Sequence, residues 1–287
     1  MKKYLFLAFA ALVSFSLFSC GDDDAADNGS HSEGGTKAFI GSWDMAADSY
    51  YSQIIFTERE FTYLYGDVDY EGNRFMRHKV VGSYTEKNGI VVLTPQKNYQ
   101  PDYNNNNQII EVPLDEDMKQ PATVRISVLA GGKAIVIETQ DEQGFMGERM
   151  LMTKQNAQVD VNSVQGRWIW YVGDTKNTRI YIEISGNKFD LIIPIYGERY
   201  QGTVSSGANG QLNFNAEKFL VCDNRGDTPY SDQLFKDWRD RNEEEMEWRS
   251  PHFYEEDGPH SFSLPFIVDG KVAYCTILGL TAQFEKL

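Results

Sequence analysis

The chain has 287 residues, 41% hydrophobic and 13% aromatic, with a formal net charge of −15 at pH 7. Charge of that sign opposes phosphate backbones and anionic lipid headgroups, so nucleic-acid binding is not expected. The length and apolar content suffice for one large domain or two small ones.

Residues 1–19 read as a secretion leader. Lys2 and Lys3 precede an apolar run, Tyr4 to Leu17. The run has the length of a signal core and falls short of the ~20 residues a membrane-spanning helix needs. Its end, Leu17-Phe18-Ser19-Cys20, resembles the lipobox of bacterial lipoproteins. The resemblance implies cleavage before Cys20, acylation of its thiol and amine with chains such as palmitate, and a membrane partner reached through that anchor. Each buried CH₂ contributes about 0.8 kcal/mol to such anchoring. Asp22, Asp23 and Asp24 follow directly. They resemble the surface-export signal of Bacteroidota lipoproteins, which implies display on the outer membrane, exposed at the cell surface. Residues 20–36 are small, polar and acidic, and read as a flexible tether.

From residue 37 the pattern turns strand-like. Ile40 to Met45 contains Gly41-Ser42-Trp43. Tyr51 to Thr57 and Glu60 to Tyr65 flank a Thr-Glu-Arg turn, and a polar turn, Asp67 to Asn73, leads into Phe75 to Tyr84. Asn88-Gly89 before Ile90-Val91-Val92-Leu93 is a strong hairpin signal. Residues 95–121, with Pro at 95, 101, 113 and 121 and Asn at 104–107, read as a long irregular segment. Val124 to Leu129 and Ala134 to Thr139 form a further hairpin, and Arg149 to Thr153 closes a first module over 37–154.

After a linker at 155–163 the pattern restarts over 164–287. Gly166-Arg167-Trp168 repeats Gly41-Ser42-Trp43, and the hairpin ending at Phe189 repeats the one ending at Phe61. Asn209-Gly210 repeats Asn88-Gly89, Gly270-Lys271 repeats Gly132-Lys133, and the last strand repeats Leu151 to Lys154. Five features in the same order imply two equivalent β-modules. The second carries an insertion. Thr228-Pro229 has the form of an N-cap and first helical position, and Leu234, Phe235 and Trp238 can make one apolar patch. A helix is therefore expected over about 229–249, ended before Pro251.

The expected fold is all-β: two tandem antiparallel β-barrels with one helical insertion in the second. Gly41, Trp43, Gly166 and Trp168, each pair opening a run of strands, resemble the start of lipocalin-like domains. The resemblance implies that each Trp closes one end of a barrel while the other end opens. It also implies a basic residue packed on each Trp, supplied by Arg149 or Lys154 in the first module and by Lys286 in the second.

The remaining candidates are sparse. Asp67, Asp69 and Glu71, with Gly72 in sixth place, imitate the first half of a calcium loop. Position twelve is His78 rather than the bidentate acid, so a hairpin turn is the stronger reading and no metal or other cofactor is expected. With Cys20 committed to lipid, Cys222 and Cys275 remain, either as an envelope disulfide or as two separate buried thiols. Trp168 and Trp170 share one strand face, either to fill a barrel or to stack on sugar rings. His252 and His260 flank Glu255, Glu256 and Asp257 without a recognisable catalytic spacing. No nucleophile elbow, phosphate loop or dinucleotide fingerprint is present, so an enzyme is not expected. The functional expectation is a non-catalytic surface lipoprotein that binds a small hydrophobic molecule or a glycan. The alternative is a structural lipoprotein with filled barrels that engages an envelope protein through its loops.

Overall fold

The computed structural model describes residues 37–46, 50–140, 144, 149–172, 177–193, 198–221, 247–249, 261–277 and 280–287. Their regular structure is β throughout, apart from one 3₁₀ turn, Val161–Val164. The first unit contains β1 Gly41–Ala46, β2 Tyr50–Phe56, β3 Glu60–Val68, β4 Arg74–Lys87, β5 Ile90–Asp102, β6 Gln108–Val112, β7 Ala122–Leu129, β8 Ala134–Thr139 and β9 Arg149–Lys154. The second contains β10 Gly166–Val172, β11 Asn177–Ser185, β12 Lys188–Ile193, β13 Glu198–Ser206, β14 Gln211–Val221, β15 Glu247–Arg249, β16 Ser261–Asp269, β17 Val272–Ile277 and β18 Leu280–Lys286. The division between the two compact units falls between Ala157 and Gln158.

Each unit is a closed, eight-stranded antiparallel barrel. In the first, β4 pairs with β5 and β1 pairs with β9, so β1-β2-β3-β4-β5-β7-β8-β9 returns on itself while β6 adds to β5 from outside. The second repeats this order, with β15 on β14 in the place of β6. Closure removes the unpaired edges that an open sheet would expose. Near-sequential strand order of this kind fits the lipocalin-like expectation.

The repeat holds at the level of single bonds. Trp43 Nε1 donates to the Phe39 carbonyl at 2.7 Å, and Trp168 Nε1 donates to the Val164 carbonyl at 2.9 Å. The Lys154 amide donates to the Lys133 carbonyl as that of Lys286 does to Lys271. Ile126 and Phe266 donate to Gly89 and Gly210, and Tyr84 and Val204 to Arg59 and Asn187. Gly41 and Gly166 have φ of 141° and 121°, which explains glycine at the head of both Gly-x-Trp motifs. Gly82 and Gly202 each sit beside a β-bulge. A Cβ on Gly82 would meet the Thr94 carbonyl oxygen at 2.2 Å, and one on Gly202 would meet that of Asn215 at 1.9 Å.

Two expectations are corrected. The segment 95–121 is irregular only at the 103–107 turn and over 113–121: β5 runs through Pro95 and Pro101 to Asp102, and β6 follows to Val112. Pro95 stands opposite Gly82 at the bulge, where a strand tolerates the missing amide donor. The Asn run forms the intervening turn, with Asn106 and Asn107 at φ of 51° and 57°, a region Asn adopts more readily than most residues. The helix expected over 229–249 does not reach its predicted end, because Glu247–Arg249 is strand β15, paired with Phe219 to Val221 of β14. Ladder pairing with a neighbouring strand overrides the local charged composition there. Residues 229–246 lie outside the described residues.

Candidate functional site

Directly paired residues of a sheet point to the same face, so the register identifies what lines each barrel. In the first, one inward rung is Trp43, Ile54, Tyr63, Val80 and Asn98, running across β1 to β5. All five are buried. Below it Phe39, Phe56 and Tyr84 meet edge-on, with ring centroids 5.0 to 5.7 Å apart, and seal that end. The rung above is Met45, Ser52, Tyr65 and His78. It extends to Gln100, whose side-chain amide lies 3.2 Å from His78 Nδ1. On this upper rung only Ser52 is buried, while Met45, Tyr65, His78 and Gln100 are half-buried. The interior therefore meets solvent at this end, which we call the mouth.

The upper rung is mostly polar and none of its side chains carries a formal charge. Gln100 Nε2 can only donate, so His78 Nδ1 accepts and the ring proton sits on Nε2. Burial, and secondarily Arg77, hold the His78 pKa below the ordinary imidazole range, with Asp115 opposing. The neutral ring is thus favoured. Ser52 Oγ donates to Tyr63 Oη at 3.3 Å. Burial pushes the Tyr63 hydroxyl well above its ordinary range, and burial followed by Asp67 raises that of Tyr65. Both phenols stay neutral donors.

Asn98 is the unusual member. It is 1% exposed, and its Oδ1 accepts no hydrogen bond. Its Nδ2 lies 3.9 Å from Met118 Sδ, a weak acceptor. A buried polar atom left without a partner costs about 1–3 kcal/mol.

In the second barrel the corresponding residues are Trp168, Ile182, Leu191 and Tyr200. Where Leu93 faces Ala122 in the first barrel, Phe214 faces Phe262, stacked at 5.1 Å. Phe266 packs edge-on against Trp168 at 5.8 Å and lies 5.8 Å from Phe284. Phe189 meets Phe214 edge-on at 5.1 Å. Trp170 is half-buried and tilted against Phe284 at 6.4 Å. It belongs to this packing.

The other residues singled out in the sequence are placed as follows. Trp43 and Trp168 are fully buried core groups. Lys154 rather than Arg149 lies over Trp43, its Nζ 6.0 Å from the ring centroid, and Lys286 lies over Trp168 at 5.1 Å. Arg149 instead donates to Glu138 at 2.8 Å. Asp67, Asp69 and Glu71 do not converge as a metal site, and no metal-binding cluster occurs among the described residues. Asp67 pairs with Arg77, while Asp69 accepts from the Glu71 and Asn73 amides and the Asn73 side chain, closing the β3–β4 turn. Those bonds, the Asn73 side chain first, lower the Asp69 pKa. Cys275 is a free, buried thiol rather than half of a disulfide, and burial pushes its pKa up. Its expected partner, Cys222, lies outside the described residues, as do Cys20, Asp22, Asp23, Asp24, His252, Glu255, Glu256, Asp257 and His260.

The mouth residues were not singled out by sequence reasoning. Ser52 with Ile54, Tyr63 with Tyr65, His78 with Val80, and Asn98 with Gln100 are each two positions apart on one strand. Extending the inward parity past the last apolar residue of each strand finds them.

No family model matches the chain, and no curated protein matches it.

Proposed function

We propose that this is a lipid-anchored envelope protein, displayed on the cell surface, that captures a small ligand without converting it. Capture occurs at the mouth of the first barrel. The observation that carries the reading is the half-buried rung of Met45, Tyr65, His78 and Gln100 standing on a fully buried floor. A few oriented polar groups above an apolar base is the usual composition of a small-molecule site. The leader ending at Cys20, and Asp22, Asp23 and Asp24 after it, support the anchor and its address. The second barrel favours a different role. Its packed Phe189, Phe214, Phe262, Phe266 and Phe284 support a solid module that acts structurally or through its loops on an envelope protein partner.

Two experiments test this. Solvent extraction and mass spectrometry of the chain purified from its membrane should recover a small molecule; an empty protein that also binds nothing added would contradict capture. Cys20→Ala should move the protein from the membrane to the soluble fraction, and continued retention sinks the lipid anchor.

A further inference from the structure

The mouth of the first barrel carries more information than that something binds there. We infer that its ligand is a neutral saccharide, one of whose hydroxyls donates to Asn98 Oδ1; this rests on the capture function proposed above.

Four observations lead to that class. Asn98 Oδ1 is a buried acceptor without a donor, on an inward rung directly beneath the solvent-facing one. The missing partner is therefore a donor arriving from the mouth. Second, the two rungs hold no formally charged group, and His78 is held neutral by burial. A carboxylate, phosphate or amine would meet no charged partner on either rung, the nearest charges felt by His78 being Arg77 and Asp115 of opposite sign. Third, the rungs offer donors and acceptors in alternation: the Ser52, Tyr63 and Tyr65 hydroxyls, the His78 Nε2 proton, and the Gln100 and Asn98 amides. A polyhydroxylated ring, each hydroxyl both donor and acceptor, matches such a lining.

Fourth, the floor is occupied. Trp43, Ile54 and Val80 are no more than 7% exposed, so the first barrel's floor offers no open apolar channel to an acyl chain. The same end of the barrel carries the β3–β4 and β5–β6 turns, with Tyr70 112% and Tyr103 72% exposed. Exposed aromatic side chains at that end are surfaces on which a sugar ring can stack. Met118, 8% exposed and with its Sδ 3.9 Å from Asn98 Nδ2, is the group a bound hydroxyl would replace as a neighbour.

The test is calorimetric titration of the full chain with glucose, galactose, N-acetylglucosamine and maltose, and separately with lauric acid and dodecanol. At least one sugar should bind and the two acyl compounds should not. Asn98→Leu should weaken sugar binding about tenfold, the effect of one lost neutral hydrogen bond. The melting temperature of the ligand-free variant should hold or rise, since a buried unpaired amide is removed. Should that variant fail to fold, Gln100→Met on the half-buried rung supplies the second measurement, with a several-fold loss expected. Binding of lauric acid or dodecanol without any sugar overturns the saccharide and leaves capture standing. Binding of none of the six compounds, with nothing co-purifying, overturns both. Unchanged sugar affinity in Asn98→Leu, with an ordered water on Oδ1 in the wild-type crystal structure, removes Asn98 from the site.

Discussion

The two barrels have the same strand order, the same Trp-to-carbonyl bond and the same glycine at the same bulge, and differ in what faces inward. Where the second barrel places Leu191, Phe214 and Phe262, the first places Tyr63, Leu93 and Ala122. Phe214 and Phe262 fill the second interior with stacked and edge-on rings. The first, with Leu93 and Ala122 in those places and the more polar Tyr63 on its rung, has a half-buried upper rung and one buried amide oxygen without a partner. A closed eight-stranded sheet leaves little interior volume beyond its own side chains, so a few substitutions decide between a solid module and a receptive one. The scaffold is shared, and function is a property of the lining.

That comparison can be broken at its common features first. Trp43→Ala and Trp168→Ala remove equivalent, fully buried rings. Each should destabilise its own barrel by about 3–5 kcal/mol in chemical denaturation. A large effect in one barrel alone would mean the two closures are not equivalent. Gly82→Ala and Gly202→Ala come next, because the added Cβ meets backbone carbonyl oxygens at 2.2 and 1.9 Å. A loss of about 1–3 kcal/mol is expected in each, measured the same way. Tolerance of alanine at either site would show that the bulge can relax.

Smaller effects sharpen the difference. Lys286→Met should cost the second barrel about 0.5–1 kcal/mol, and Lys154→Met less in the first, because the ammonium-to-ring distances are 5.1 and 6.0 Å. Thermal unfolding of the two variants compares them directly, and a reversed order would contradict the geometry. The least effect is a pH dependence confined to the first barrel. The folded pKa of His78 lies below the ordinary imidazole value of 6.5. Its contribution to stability is therefore fully present above that value and is lost as pH falls through the depressed folded one. Denaturation midpoints between pH 7 and pH 5, taken with about one-unit spacing, should fall for the wild type and fall less for His78→Gln. Equal slopes would place the imidazole in an environment like that of the unfolded chain.

Much of the fold was legible because it is written twice. Gly-x-Trp, Asn-Gly and the late Gly-Lys pair recur in order, and each marks a real turn or strand start in both barrels. Residues 95–112 were illegible because Pro95 and Pro101 sit where strands accept them, opposite a bulge and toward the end of β5. The strand at Glu247–Arg249 was hidden by charged composition, since only pairing with β14 makes it a strand. The site was hidden for a different reason. Tyr, His, Asn and Gln at alternate positions look like the solvated face of a strand, and only barrel closure turns that face inward. The calcium-like acids form the hairpin turn that their missing twelfth-position acid favoured: Asp69 serves its own turn and Asp67 an arginine.

The central claim is that the first barrel receives a ligand and the second does not. Native mass spectrometry of the full chain, saturated with the tightest binder found, measures this most directly. The account predicts a single bound molecule per chain, and an occupancy that falls in Asn98→Leu and Gln100→Met when the ligand is lowered to the wild-type Kd. Two bound molecules per chain, or one whose occupancy is unchanged by both substitutions, would contradict it.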